Sequence, residues 1–112
     1  MNNTVKNDLI DWAKSRNCEE MIALVLFLDE AEMKGKKILL ENQNKVTEGS
    51  IERMKFKYNK RYLDFDISIK LTEEKYGSYI RYILFSNIKK IAKDCFEIFT
   101  EDNGIWIIKG IE

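Results

Sequence analysis

The segment Met21-Ile22-Ala23-Leu24-Val25-Leu26-Phe27-Leu28 is apolar without a break, and nothing else in the chain constrains its fold so strongly. A helix carrying it has no polar face to give to water, so it must be covered around most of its circumference by a first helix and a sheet, or by a second subunit. Periodicity alone leaves a fully buried strand open over so short a run. The flanks favour a helix over residues 18–34. Asn17 is followed three positions later by Glu20, the spacing of a reciprocal cap, and Gly35 stands after Lys34 where a left-handed residue ends a helix. Upstream, Val5, Leu9, Trp12 and Ala13 form one apolar face of a shorter helix, with Asn3 or Thr4 to cap it.

Residues 36–50 carry a weak signal and read as a loop around Glu41–Ser50, exposed enough to dock a partner. Beyond Ser50 the pattern alternates with period two. Met54, Phe56 and Tyr58 interleave with Arg53, Lys55 and Lys57; Leu63, Phe65, Ile67, Ile69 and Leu71 interleave with Asp64, Asp66, Ser68 and Lys70. With Asn59 and Lys60 at the turn, Phe56 faces Leu63, Met54 faces Phe65, Lys55 faces Asp64 and Arg53 faces Asp66, so each cation meets a carboxylate. A helix begun at Ser50, with Ile51, Met54 and Tyr58 on one side, competes for the first of these segments. Ser78–Phe85 reads as a third strand with Ile80, Tyr82 and Leu84 on the core face. Ile88, Ile91, Ala92, Cys95, Phe96 and Phe99 follow helical spacing after a Ser86 or Asn87 cap, and Ile105-Trp106-Ile107-Ile108 reads as a final strand apolar on both faces. The expected fold is α+β, one domain over residues 1–112. It has a small, mostly antiparallel sheet, a three-strand meander plus a C-terminal strand, packed with two N-terminal helices and one helix before the last strand.

The chain has no histidine, which removes Ser-His-Asp and Cys-His nucleophiles, His-ligated zinc and imidazole bases together. Cys18 and Cys95 are too few for a Cys₄ site, and both read as buried, reduced thiols. The glycines stand singly, so no phosphate-cradling loop is formed; no cofactor is expected. Neither a signal peptide nor an apolar stretch of membrane-spanning length is seen, which predicts a cytoplasmic protein with no membrane partner. Nineteen cations balance nineteen carboxylates, against any role that depends on a strong overall field. The abundance of Ile, Lys and Asn, whose codons are rich in A and T, points to a low-GC bacterium, its phage or another mobile element.

Glu32-Met33-Lys34 and Glu73-Glu74-Lys75 have the Glu-x-Lys spacing of magnesium nucleases, but on a helix end and in a turn, where a solvated charged surface is the better reading. Two candidate surfaces remain. Tyr79, Arg81, Ile83 and Phe85 give the second face of the third strand an apolar excess around an arginine, which is either covered by a helix or anchors a protein partner. In the first case Asp at positions 83 and 85 unfolds the protein; in the second it abolishes a complex. Lys57, Lys60 and Arg61, at the basic end of the first hairpin, are the candidate nucleic-acid contacts, though Phe56 and Tyr58 point away from them and Asp64 and Asp66 neutralise their neighbours. The sequence thus predicts a non-catalytic binding protein, a regulator or inhibitor of a macromolecular target, with homodimerisation open. A nucleic-acid-binding module is the first alternative. A small enzyme or ligand-binding domain built on carboxylates and tyrosines is the second.

Overall fold

The computed structural model describes residues 3–43, 45–59, 61 and 64–111. The apolar run is helical. α1 (Asn3–Ser15) and α2 (Glu19–Lys34) are followed by β1 (Lys37–Asn42), β2 (Lys45–Asn59), β3 (Asp64–Leu71), β4 (Ser78–Leu84), a 3₁₀ turn (Phe85–Asn87), β5 (Ile88–Ala92), β6 (Cys95–Thr100) and β7 (Gly104–Gly110). All seven strands join one antiparallel sheet in the order β4-β3-β2-β1-β7-β6-β5.

This sheet curls. β4 and β5 are its two edges, yet only the three residues of the 3₁₀ turn separate them in sequence, so the edges must meet and β4 lies against β6. The bend is made in β2, whose first part pairs with β1 and whose second part pairs with β3, with a bulge between Ile51 and Arg53. Gly49 stands at this bend because a Cβ there would lie 3.0 Å from Thr72 Oγ1.

Curling supplies the cover that α2 needs. Met21, Leu24, Val25, Leu28 and Ala31 are buried among inward-facing Ile38, Leu40, Phe96, Ile98 and Ile108, and the rings of Phe27 and Phe96 lie 5.5 Å apart. α1 closes the remaining side. Its Trp12 packs on Phe85 (4.5 Å between rings) and Tyr58 (5.6 Å), and Lys6 Nζ reaches Asp29 Oδ2 at 2.9 Å, which partners the one buried carboxylate of α2. Gly35 ends α2 in the left-handed region (φ 63°) as its spacing predicts, whereas the N-cap is Cys18, with no side-chain cap bond, and Asn17 is left-handed instead.

Three expectations are corrected. Of residues 41–50, expected as a loop, 41–42 and 45–50 lie in the paired strands β1 and β2. The helix expected over 88–99 is the β5–β6 hairpin, turned through left-handed Asp94 (φ 53°). Its helical stripe consists largely of residues that also favour strands. β7, apolar on both faces, gains in β6 the second ladder partner that a helix could not provide. Finally, the β2–β3 register is displaced by four residues: Met54 faces Ile69, Phe56 faces Ile67 and Tyr58 faces Phe65. An even displacement keeps every side chain on its expected face but changes every partner. Leu63, expected opposite Phe56, lies outside the described residues.

Candidate functional site

The outer face of β2–β3–β4 departs most from regular sheet geometry. Along β4, Ile80 and Ile83 both point into the core, which strict alternation forbids. A bulge resolves the conflict: Ile67 pairs with Ile80 and Phe65 with Ile83, so two residues of β4, Arg81 and Tyr82, stand opposite the single Asp66. Tyr82 takes the left-handed conformation (φ 57°) to do so. For a bulky side chain this costs on the order of 1–3 kcal/mol, and such strain persists only where the surroundings fix it.

Asp66 fixes it. Its Oδ1 accepts the backbone N–H of Tyr82 and its Oδ2 accepts the Tyr79 hydroxyl, each at 2.9 Å. The second bond raises the Tyr79 pKa above its ordinary value, because the carboxylate holds the phenol proton. The neighbouring Asp64 is also raised, by burial first and by the Asp66 charge second. Arg81 lies between the two rings, 5.9 Å from the Tyr79 centroid and 5.6 Å from that of Tyr82, and reaches Asp102 across the seam at 3.4 Å. Both rings remain in water, Tyr79 47% and Tyr82 61% exposed.

Of the predicted partner-binding residues, Tyr79 and Arg81 are therefore displayed together. Ile83 is not: it is 0% exposed, because the bulge swings it inward. Phe85 lies past the end of the strand, partly buried against Trp12 and Phe65. Tyr82, expected in the core, takes the place that alternation assigned to Ile83. A strand pattern cannot reveal this, since a bulge has no period of its own.

Two strands away, Arg53, Lys55 and Lys57 stand exposed in one row of β2, outside the core-facing Met54, Phe56 and Tyr58. The observed register undoes the expected neutralisation of Arg53 and Lys55, and sets Lys57, expected to keep its charge, opposite a carboxylate. Arg53 faces Lys70, Lys55 faces Ser68, and Lys57 faces Asp66, whose oxygens are both engaged by β4. Among the described residues no carboxylate comes within 4.0 Å of any of the three cations. Lys70 is paired with Glu52 at 2.7 Å, a bond that lowers the Glu52 pKa. Of the hairpin-tip cations, Arg61 is exposed and its backbone N–H donates to Asn59 Oδ1, while Lys60 lies outside the described residues.

A groove of about 680 Å³ opens elsewhere, between the α1–α2 corner and the 3₁₀ turn, lined by Arg16, Cys18, Glu20 and Phe85. Burial pushes the Cys18 thiol up, and its Sγ donates to the Phe85 carbonyl at 3.5 Å, which suits a packed thiol better than a nucleophile. Among the described residues no group of three Asp, Glu or Cys could hold a metal ion, and no helix is long and apolar enough to cross a membrane. Comparison of the chain with protein-family models, with curated proteins and with solved structures finds no match.

Proposed function

We propose that this chain is a non-catalytic binding protein that regulates or inhibits a macromolecular target, docking it on the outer face of β2–β3–β4. The observation that carries the reading is the left-handed Tyr82. The fold spends backbone strain to hold a large ring in water beside Tyr79 and Arg81, residue types that dominate binding energy at interfaces. A strain-free alternative exists in glycine, which adopts this backbone at no steric cost and displays nothing. The test compares the wild type with Tyr82→Gly as baits in a cell lysate. A macromolecule retained by the wild type and lost by a variant of equal or higher melting temperature supports the reading. Equal retention by the two, or specific turnover by the purified protein that an Asp, Glu or Tyr substitution abolishes, contradicts it.

A further inference from the structure

We infer that the occupant of this face is single-stranded RNA, with phosphates along Arg53, Lys55 and Lys57 and bases on Tyr79 and Tyr82; the inference rests on the docking face proposed above and names its partner. The balanced charge of the chain hides an asymmetry. The face carries five cations, Arg53, Lys55, Lys57, Lys70 and Arg81, against four carboxylates, Glu52, Asp64, Asp66 and the Asp102 that pairs with Arg81, and is thus net positive by one, while the rest of the chain is net negative by one. Arg53, Lys55 and Lys57, with no carboxylate within 4.0 Å among the described residues, lie on alternate residues of one strand, about 6.7 Å apart, a linear track suited to an extended phosphodiester backbone.

The ladder then orders the other groups across the sheet. Lys55 faces Ser68, and Ser68 faces Tyr79, so cation, hydroxyl and ring follow one another in a row about 10 Å across. In the next row Lys57 is followed by Asp66 and then by Arg81 and Tyr82. A strand of nucleic acid with its phosphates on β2 lays its sugars over β3 and its bases over β4. Ser68 then offers a donor and acceptor where the sugar lies, which selects the 2′-hydroxyl of RNA. Ring faces can stack only on unpaired bases, which excludes a duplex. Asp66 acts as a positioning residue, tying down the Tyr79 hydroxyl and the Tyr82 backbone while the rings, each approached by Arg81, stay exposed to solvent.

The test is fluorescence anisotropy with a labelled oligouridylate of about a dozen nucleotides, its deoxy counterpart and an RNA duplex, over a range of salt concentrations, with melting temperatures recorded for every variant. Binding of the single-stranded RNA is expected to weaken with salt with a logarithmic slope of about −2 for three phosphate contacts, and Lys55→Ala should reduce that slope by about 0.7. Tyr79→Ala and Tyr82→Gly should each weaken binding about tenfold with the slope unchanged. If the wild type binds no oligonucleotide, RNA is overturned as the occupant while the docking face still stands. Equal affinity for the deoxy strand or the duplex likewise overturns single-stranded RNA. Should RNA bind equally to these variants but be lost on replacing Lys89, Lys90 and Lys93 on and beside β5, the docking face itself is wrong.

Discussion

One sheet presents two outer faces built by different rules. Over β1, β7 and β6 the ladders run without a register shift, Glu41 and Glu97 flank Ile107, and the apolar pair Phe99 and Ile105 stands half in water. Over β2, β3 and β4 the ladders shift twice, an aromatic residue is left-handed, and three cations stand in a row with no carboxylate within 4.0 Å among the described residues. Folding alone asks for neither the row of cations nor the left-handed tyrosine, since the first face closes its ladders without them. The β5–β6 ladder also shifts, between Lys90 and Ala92, and turns through left-handed Asp94; what sets β2–β3–β4 apart is a bulge that displays a tyrosine beside a row of cations, and that is the side to which binding is assigned.

The contrast can be broken most sharply at Ile83. Placing a charge there with Ile83→Asp buries it without a counterion, so we expect no folded protein by circular dichroism, whereas Tyr82→Gly one residue away should fold and melt at or above the wild-type temperature. If the two variants behave alike, the bulge is misassigned. Asp66→Ala comes next. It leaves the bulge without its acceptor and should cost about 1–2 kcal/mol in urea unfolding, against less than about 0.5 kcal/mol for Glu97→Ala on the regular face. Similar costs at both positions would remove the distinction between the faces.

The sequence already held the helical run, the Gly35 stop, the inward faces of β2 and β3, and the candidate residues Tyr79 and Arg81. These follow from local periodicity and end chemistry. What it could not supply depends on partners remote in the chain. The four-residue displacement between β2 and β3 preserves every alternation, so no pattern distinguishes it from the expected register; yet it alone frees Arg53 and Lys55 from Asp66 and Asp64. The β5–β6 hairpin was hidden because Ile88, Ile91, Phe96 and Phe99 satisfy a helical stripe as well as a strand's preference, and only the open ladder of β7 decides between them.

The smallest expected effect is on titration. Hydrogen bonds to Asp66 and Asp8 raise the pKa of Tyr79 and Tyr58 above the ordinary value of 10.0, so any stability these bonds give is present below that pH and lost as pH rises through the folded values. In an alkaline titration followed by tyrosinate absorbance, the component removed by Tyr79→Phe should lie above pH 10.0, and so should that removed by Tyr58→Phe. A Tyr79 component at or below that pH would show that Asp66 does not hold its hydroxyl.

The most direct test of where this molecule binds is an amide nitrogen–proton NMR map recorded while single-stranded oligouridylate is added. The account predicts shifts concentrated at Lys55, Lys57, Ser68, Tyr79 and Tyr82, with β1, β6 and β7 nearly unmoved. No change anywhere would overturn RNA as the occupant, and a map centred on Glu41, Ile107 and Phe99 would contradict the docking face itself.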